Sequence, residues 1–492
     1  MGAAESFISI LEQINDVNVS SGSYYAEDSI SPNELELRIS VDGCGNIALP
    51  LSSDTIQKML AATEPAKFGL RDQTLYDKDV RDTNEISAEK INISYNVNKF
   101  SSILDNIRNK LGLSEDIYLT PHLHNILIYS KGQFFAQHQD TEKLNGMLAT
   151  LVMVLPSPHI GGALKIQHYG EEVECKSENI NSANIKFIAF YSDCQHELEK
   201  VLDGYRVVVT FNLVAESRAG IAEKEIDAIT MHKAALKEVM LNTLKEYEAY
   251  SYAPIPFITY LLNHQYTKHG LSWSLLRGAD QLRAELIKRA AKDADCEVLL
   301  ALIEAREIWS ADGGYDYGDS NEDAEPQDLI DTEINVVHVI DINSKVVQYD
   351  QYIREKAVCY HLPNEEFKPF ETEYEGYMGN YGNTVDYWYH RAAIIIYKKS
   401  DSFALSFLND PNTVIQALLN ESSAAAIKLQ LEKLWLHWSK HQHKLIDLRL
   451  LLELAILVND HSVAETILQH CSSASMLNGA NDLICKLFSH YG

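Results

Sequence analysis

Between residues 123 and 215 the chain contains a series of short segments rich in apolar, β-branched and aromatic residues, a composition typical of β-strands. Eight such segments follow one another, separated by short turn-rich breaks: HNILIYS, FFAQHQD, MLATLVMVL, GGALKIQHYG, EEVECKS, IKFIAFYS, HELEKVL and YRVVVTFNLV. Eight strands suffice to close a double-sheet roll. The segment NKFSSILDNIRNKLGL, which precedes them, has the spacing of an amphipathic helix and predicts a helix that backs the larger sheet.

The chain beyond this region is predicted to be mostly helical. AGIAEKEIDAITMHKAALKEVMLNTLKEYEAY has a long helical pattern, and DQLRAELIKRAAKDADCEVLLALIEAREIW predicts one or two further helices. INVVHVID, VVQYDQYI and RAAIIIYKK are strand-like, and helical patterns return after Asn412. The predicted fold class is therefore α+β: an N-terminal jelly roll backed by helices, then a mostly helical C-terminal region with a small β-rich segment. The predicted divisions are residues 1–100 (support for the roll), 101–215 (the roll), 216–400 (mixed helical and β) and 401–492 (helical).

Composition and charge narrow the classes of partner. A chain of 492 residues is too long for one core, so two or three domains are expected. The formal net charge of −28 disfavours a nucleic-acid partner, because phosphates would be repelled. Seven cysteines without a CxxC pair predict free thiols in a reducing compartment, the cytoplasm or nucleus. No apolar stretch has the length of a membrane span, so no membrane partner is expected.

Candidate chemistry lies inside the predicted roll. His138 and Asp140 are two residues apart in an extended segment, so their side chains point to the same face. His196 can add a second imidazole if the chain folds back. Two histidines and one carboxylate leave open positions on a metal and suit non-haem Fe(II). Arg206, ten residues after His196, offers a planar fork that matches a carboxylate. Together these residues indicate a 2-oxoglutarate oxygenase.

The flanks of these residues carry a family resemblance. YSKGQFFAQHQD, LVMVLPSPHIGGALKIQH and FIAFYSDCQHELEKVLDGYRVVVTFNL resemble the prolyl 4-hydroxylase type of Fe(II)/2-oxoglutarate-dependent dioxygenases, whose fold is a double-stranded β-helix, or jelly roll. The resemblance implies Fe(II) bound by His138, Asp140 and His196. It also implies 2-oxoglutarate held through its distal carboxylate by Arg206, with Tyr129 as a co-substrate contact. O₂ as second co-substrate and ascorbate as reductant are implied in the same way.

The turn at Asp203-Gly204 sets which residues share a face with the metal ligands. A three-residue turn with Gly204 in the left-handed conformation pairs His196 with Thr210 in one hairpin. Arg206 then lies on the face of His196, four ladder steps (roughly 13 Å) along the strands. Thr210 becomes a further candidate contact for the co-substrate. The same register points four apolar residues outward, under a covering helix: Val207, Val209, Phe211 and Leu213.

Arg81 lies in a polar, turn-rich segment before the roll. This segment resembles a family loop in which an arginine leans over the active site, which implies that Arg81 binds substrate. The alternative is a solvated arginine paired with Asp79 or Asp82. Two stretches further on, LNHQYT and WYHRAA, resemble segments that follow the oxygenase domain in relatives, with no role assigned to them.

Other histidines have alternative interpretations. His159 and His168 lie near the candidate site in sequence, but loop histidines of this kind are more often hydrogen-bonded side chains than ligands. His437 and His441 are four residues apart on a predicted helix and offer a metal pair, against the alternative of a solvated helix face.

The leading functional prediction is an Fe(II)- and 2-oxoglutarate-dependent dioxygenase that hydroxylates a C–H bond, releasing succinate and CO₂. The resemblance implies a protein or peptide substrate, and the chain beyond the roll is predicted to help select it. Two alternatives remain. One is a nucleobase-type oxidative demethylase, which uses the same three ligands. The other is a non-catalytic scaffold built on a degenerate roll.

Overall fold

The structure is a computed structural model of the chain. It describes residues 3–13, 22–70, 73–75, 77–140, 143–144, 146–168, 170–177, 184–217, 227–249, 255–312, 325–347, 349, 353, 357–360, 363–364, 367, 369–375, 383–420, 423–425, 427–431, 447–470, 485–486 and 489.

Short strands and helices precede the roll. They are α1 (Ala3–Glu12), β1 (Tyr25–Ile30), α2 (Pro32–Leu35), β2 (Arg38–Val41), β3 (Gly45–Ile47), α3 (Ser53–Leu60), β4 (Glu64–Pro65), β5 (Phe68–Leu70), β6 (Gln73–Leu75), β7 (Arg81–Asp82), β8 (Asn84–Ser87), β9 (Ile91–Ser94) and α4 (Val97–Lys110). The helix α4 begins after Asn96, whose side chain accepts a hydrogen bond from the backbone N–H of Lys99. Its buried residues recur every three or four positions and form one apolar face: Phe100, Ile103, Leu104 and Ile107.

All eight predicted segments of the roll overlap strands, and a short ninth strand, His159–Gly161, is present among them. The elements are β10 (Ile117–Ser130), β11 (Phe134–Gln139), β12 (Met147–Val154), β13 (His159–Gly161), β14 (Leu164–His168), β15 (Glu171–Cys175), β16 (Ile185–Tyr191), β17 (Gln195–Leu198) and β18 (Val201–Ser217). The large sheet has the order β1-β16-β12-β18-β10-β8-β4, with β13 paired to β18. The small sheet has the order β15-β14-β17-β11-β7. These antiparallel sheets are consistent with the predicted jelly roll.

The last strand, β18, has one face toward a cavity and one toward helix α4. Its alternate residues Val208 and Thr210 line the cavity. On the other face Phe211 is buried against Phe100 of α4, with ring centroids 6.0 Å apart. For Phe211, the prediction that a helix covers the outward apolar residues of this strand is therefore confirmed.

The predicted pairing of His196 with Thr210 is wrong. Strand β17 pairs with β11 and β14 in the small sheet, whereas β18 pairs with β10, β12 and β13 in the large sheet. The chain crosses between the sheets at residues 199–200, so no hairpin forms there. Gly204 does have the predicted positive φ, 75°. Glycine is required here for a reason other than a hairpin turn. A Cβ at this position would lie 2.2 Å from the carbonyl oxygen of Pro158.

After the two sheets of the roll comes a separate six-stranded sheet, which we call the second sheet. A mostly helical region with a small β-rich segment was predicted here. The elements are α5 (Asp227–Ala249), β19 (Phe257–Leu261), α6 (Gly278–Asp293), β20 (Cys296–Asp312), β21 (Glu325–Ile340), β22 (Val358–Cys359), β23 (Glu371–Glu375) and β24 (Thr384–Lys398). The sheet order is β21-β20-β24-β19-β22, and β23 also pairs with β24. The predicted helix over VLLALIEAREIW is a strand instead, because β20 pairs with both β21 and β24.

The sequences of the individual strands do not show that this region forms a sheet. Leu, Ala, Glu and Arg, which are good helix formers, dominate β20, and tertiary pairing overrides their propensity. The central strand β24 is buried on both faces. Its Ile394 and Ile396 lie in a core with α5 and α6, and Ile395 lies in the core on the opposite face. Strands covered on both sides give continuous apolar runs rather than alternation.

Helices α7 (Ser402–Asn409), α8 (Pro411–Leu419), α9 (Leu448–Val458) and α10 (His461–His470) follow the second sheet. At the other end, α1 packs on the second sheet rather than on the roll, with the rings of Phe7 and Tyr260 6.2 Å apart. His437 and His441 lie outside the described residues. Among the helices that are described, none is both long and apolar enough to cross a bilayer.

Candidate active site

Two neighbouring strands of the small sheet bring the candidate histidines together. His138 on β11 lies directly opposite His196 on β17, and their ring centroids are 4.1 Å apart. Asp140 follows the end of β11, with Oδ2 3.9 Å from Nε2 of His196. One ligand atom from each of the three residues lies within 4.8 Å of the others. The sequence therefore predicted this grouping, although not the pairing that produces it.

Hydrogen bonds orient the three side chains for metal binding. His138 Nδ1 donates to the carbonyl oxygen of Ala136 at 2.9 Å, and His196 Nδ1 donates to that of Cys194 at 3.2 Å. Because a carbonyl only accepts, each neutral ring keeps its lone pair on Nε2, where it is available to a metal ion. The hydroxyl of Thr150 donates to Oδ2 of Asp140 at 2.5 Å.

Burial and neighbouring charges together determine the protonation states of His138, Asp140 and His196. Burial, and then the neighbouring His196, lower the pKa of His138, and burial also lowers the pKa of His196. Burial alone would raise the pKa of Asp140, but His196, Lys143 and His138 together lower it. At neutral pH the group holds two neutral imidazoles and one carboxylate. This is the protonation that a divalent metal requires of such ligands.

The three residues line a cavity of about 570 Å³ between the two sheets. Arg206 lines the same cavity from the large sheet and is 2% exposed. Burial lowers the pKa of Arg206 to about 10, so the guanidinium stays charged at neutral pH. Its Nε donates to the hydroxyl of Ser177 at 3.2 Å, while Nη2 has no hydrogen-bond partner among the described residues. A buried cation with an unused donor fits an anionic ligand.

Tyr129 and Thr210 also line this cavity. Tyr129 on β10 is opposite Arg206 on β18, and its ring centroid is 6.0 Å from Cζ of Arg206. The hydroxyl of Thr210 donates to the side-chain oxygen of Asn125. Tyr129 therefore lies beside the candidate anion site, and Thr210 lines the cavity farther along β18. Both stay candidate contacts for the co-substrate.

Arg81 lies in the wall of the cavity and is largely buried. Its Nη1 donates to the carbonyl oxygen of Lys67, and its Cζ lies 4.5 Å from the ring centroid of Phe135. Phe135 in turn stacks on His138, with centroids 3.5 Å apart. These contacts, rather than the alternative ion pair with an aspartate, are the ones the described residues show. Arg81 is therefore placed where it can contact a ligand of the cavity.

His159 and His168 lie apart from the metal ligands. His159 is buried and hydrogen-bonds through Nδ1 to the carbonyl oxygen of Ser157. His168 lies 3.6 Å from Oδ2 of Asp193, and these two residues with Cys194 form another group with metal-ligand spacing. The carboxylate of Asp193 accepts a hydrogen bond from the guanidinium of Arg277 at 2.8 Å. The positive charge beside that carboxylate is therefore an arginine rather than a metal ion.

Several residues of the site were missed in the sequence: Thr150, Asn125, Ser177 and Phe135. Thr150 and Asn125 carried a signal, because each is a polar residue in the middle of an apolar strand segment, MLATLVMVL or HNILIYS. Their side chains face the cavity, where a hydrogen-bonding partner is available. Ser177 carried no such signal, because it follows the last residue of β15 in a polar loop.

Comparison with protein families adds an independent observation. The family model described as "2OG-Fe(II) oxygenase superfamily" matches residues 124–214, the segment that carries the His-Asp-His group and Arg206. The predicted resemblance to these oxygenases is confirmed. No significant match was found among curated proteins.

Several solved structures resemble part of this chain at low sequence identity. A Pseudomonas putida prolyl-4-hydroxylase is 15% identical, with 43% of this chain and 100% of that chain covered and a TM-score of 0.25. An oxidoreductase of the 2OG-Fe(II) oxygenase family from Burkholderia pseudomallei is 11% identical, covering 42% and 90%, with a TM-score of 0.22. A prolyl hydroxylase from Trichoplax adhaerens, in complex with a hypoxia inducible factor peptide, is 13% identical, covering 42% and 92%, with a TM-score of 0.24.

The chemistry of the site fits the cofactor and co-substrate that this superfamily implies. Two imidazoles and one carboxylate suit Fe(II), and the unused donor of Arg206 suits the distal carboxylate of 2-oxoglutarate.

Thr150 gives a first test of the metal site. Replacing Thr150 with valine keeps its shape but removes the hydrogen bond to Asp140. We expect Thr150→Val to weaken Mn(II) binding, measured by electron paramagnetic resonance, by about 10- to 100-fold, the range for partners that orient a metal ligand. Thr150→Ser keeps the hydroxyl and should bind within a few-fold of the wild type. Equal affinity of the valine variant and the wild type would contradict the orienting role.

Gly162 gives a test of the Arg206 pocket. Its φ is 68°, and a Cβ would lie 3.0 Å from Cδ of Arg206 and from Cγ2 of Val201. We expect Gly162→Ala to displace Arg206 and raise the 2-oxoglutarate KM by about tenfold, a loss of roughly 1.4 kcal/mol. Gly170→Ala is a matched control, because Gly170 has a φ of 75° with nothing within 4 Å of a Cβ. An unchanged KM in Gly162→Ala would show that Arg206 tolerates the crowding.

Proposed function

We propose that the chain is an Fe(II)- and 2-oxoglutarate-dependent dioxygenase that hydroxylates a C–H bond of a polypeptide. One observation carries the proposal: a buried guanidinium with an unused donor shares one cavity with the His138, Asp140 and His196 group. A structural metal site would not need this cation. A simple anion-binding site would not need the three metal-ligand side chains.

Each residue has a defined part in the proposed reaction. His138, Asp140 and His196 hold Fe(II), and Arg206 binds the distal carboxylate of 2-oxoglutarate through two parallel hydrogen bonds. With O₂, the iron and 2-oxoglutarate supply the oxidation of the substrate C–H bond and yield succinate and CO₂. The resemblance that implies the iron also implies ascorbate as its reductant.

The residues around this group position the co-substrate and exclude water from it. Tyr129 lies beside Arg206, Thr210 lines the same cavity, and Thr150 donates a hydrogen bond to the Asp140 carboxylate. Burial of Arg206 strengthens its attraction for a carboxylate, because the local dielectric is lower than that of water.

We place the substrate beside Arg81 and Phe135, which line the cavity. A volume of about 570 Å³ lies within the range of about 300–1,000 Å³ typical of ligand pockets, which leaves room for 2-oxoglutarate and a substrate side chain together. A net charge of −28 favours a neutral or basic polypeptide over nucleic acid. The free cysteines of the described residues are compatible with a reducing compartment, so we place the reaction in the cytoplasm or nucleus.

The test is 2-oxoglutarate-dependent succinate formation by the purified full-length chain, with Fe(II) and ascorbate. Slow formation without a substrate is expected, and it should stop when a chelator removes the metal. A peptide pool containing proline should accelerate it, and mass spectrometry should find peptides heavier by one oxygen atom. Acceleration by methylated oligonucleotides instead would favour the demethylase alternative. Absence of succinate with bound Fe(II) and 2-oxoglutarate would favour the scaffold.

A further inference from the structure

The segment LNHQYT, to which the sequence assigned no role, lies against the strands that carry the metal ligands. It follows β19 of the second sheet. The backbone N–H of Leu262 donates to the carbonyl oxygen of Ala392 at 2.8 Å, and Nη2 of Arg391 donates to the carbonyl oxygen of Leu262 at 3.2 Å. Ala392 and Arg391 belong to the second unassigned stretch, WYHRAA. The two stretches therefore meet in one place beside the oxygenase segment.

We use the name second region for the second sheet together with α5, α6 and the segments that join them. Three polar residues of this region hydrogen-bond to the roll, and we call them the clamp: His264, Gln265 and Arg277. On the β17 side, Arg277 Nη1 donates to Oδ1 of Asp193 at 2.8 Å. Oδ2 of Asp193 accepts from Nδ1 of His264 at 2.9 Å and from the backbone N–H of Gln265 at 3.1 Å. The side chain of Asp193 is only 4% exposed, so these are buried contacts.

On the β11 side, the clamp contacts the residue between two metal ligands. Nε2 of Gln139 donates to Oε1 of Gln265 at 2.8 Å. Gln139 stands between His138 and Asp140 in the chain, and it pairs with Gln195, the neighbour of His196. One short segment thus holds the end of β11 and the start of β17, the two strands whose spacing sets the geometry of the ligand group.

The clamp is itself held rigidly. Asp280, which is fully buried in α6, accepts hydrogen bonds from the backbone N–H groups of Asn263 and His264, each at 2.8 Å. It also accepts from the hydroxyl of Tyr266 at 3.1 Å. These hydrogen bonds connect the clamp to α6 of the second region. The second region, rather than the roll, therefore determines where the clamp lies.

Electrostatics favours the same arrangement. Burial alone would raise the pKa of Asp193, but His264 and Arg277 lower it well below its usual range. The carboxylate is therefore an anion that would be costly to bury without the clamp.

We infer that His264, Gln265 and Arg277 are positioning residues for the metal site, so that high-affinity binding of the metal by the roll requires the second region. The inference rests on the proposed function for its chemistry. It concerns a different contact, which can be measured with a metal ion alone.

The test is a double-mutant cycle at Gln139 and Gln265 in the full-length chain, read out by Mn(II) affinity. We expect Gln265→Ala and Gln139→Ala each to weaken Mn(II) binding by about tenfold, the lower end of the range for residues that orient ligands. The double variant should be no weaker than either single variant, because both remove the same contact. Unchanged affinity in Gln265→Ala, or strictly additive losses, would overturn the inference.

Arg277 provides a second arm. Arg277→Ala should weaken Mn(II) binding by up to about 100-fold, and Arg277→Lys, which keeps the charge, should restore part of the affinity. If Arg277→Ala fails to fold, the cycle at Gln265 still decides. Arg306→Ala is a matched control, because it breaks ion pairs with Asp386 and Glu333 that lie within the second sheet. It should leave Mn(II) affinity unchanged, and an equal loss there would mean that general destabilisation accounts for the effect.

The electron paramagnetic resonance signal of bound Mn(II) separates this inference from the proposed function. A positioning role predicts a broader signal in Gln265→Ala, since the ligands are held less uniformly. If the wild type binds Mn(II) in a clamp-dependent way but forms no succinate, the inference stands and the proposed function fails. If the wild type forms succinate and Gln265→Ala binds Mn(II) normally, the proposed function stands and the inference fails.

Discussion

Asp140→Ala should reduce Fe(II)-dependent succinate formation by more than about 100-fold, since residues that only orient ligands already account for about 10- to 100-fold. Asp140 supplies the one carboxylate of the ligand group, and its removal leaves two neutral imidazoles. Without that negative charge the site loses both a ligand and the partial neutralisation of a divalent cation. The measurement is metal content after purification, together with succinate formation. His138→Ala and His196→Ala should have the same result.

Asp203→Ala is the matched control for this prediction. Asp203 lies in the same domain, its side chain is 70% exposed, and its nearest basic partner, Lys131, is 3.9 Å away. Its removal changes the net charge equally without touching the cavity. We expect wild-type metal content and turnover. Full iron occupancy and normal turnover in Asp140→Ala would refute the ligand assignment and, with it, the proposed function.

The site was more predictable than the fold around it. The residues of the site lie in one continuous segment, and two physical rules sufficed. Side chains two apart on a strand share a face, which joined His138 to Asp140. The planar fork of Arg206 matches a carboxylate, and its position ten residues after His196 made it the candidate for that role. His196 was assigned to the right group, although its predicted pairing with Thr210 in a hairpin was wrong. Local turn chemistry at Gly204 does not determine which sheet the next strand joins.

The second region shows where sequence reasoning reached its limit. Its sheet contains strands rich in helix formers and strands apolar on both faces, so neither pattern had a clear period. The contact between Gln139 and Gln265 joins residues 126 positions apart, and nothing in either local sequence predicts it.

The sequence and the structure predict different properties for a truncated chain. The sequence predicts that a folded chain ending near residue 215 keeps uncoupled turnover, whereas the Asp193–Arg277 contact predicts that it loses metal affinity.

Arg206→Met should raise the 2-oxoglutarate concentration required for turnover by at least about 100-fold. The guanidinium is buried, charged and has an unused donor, so a carboxylate bound to it is largely shielded from water. Loss of one partner of a buried ion pair costs about 3–5 kcal/mol, and each 1.4 kcal/mol corresponds to about tenfold in affinity. Arg206→Lys keeps the charge but loses the two-pronged geometry, so its effect should be smaller.

Stability measurements make the Arg206 prediction specific to ligand binding. Without 2-oxoglutarate, Arg206 is a desolvated cation whose hydrogen bonds to the protein are incomplete, so replacing it with an apolar side chain of similar length relieves a cost. We therefore expect the Tm of Arg206→Met without ligand to equal or exceed that of the wild type. With Mn(II) present, 2-oxoglutarate at about 100 times its Kd should stabilise the wild type by about 2.7 kcal/mol. At the same concentration the variant should gain far less. A variant that unfolds earlier without ligand, yet gains the same stabilisation from 2-oxoglutarate, would show that Arg206 supports the fold rather than the co-substrate.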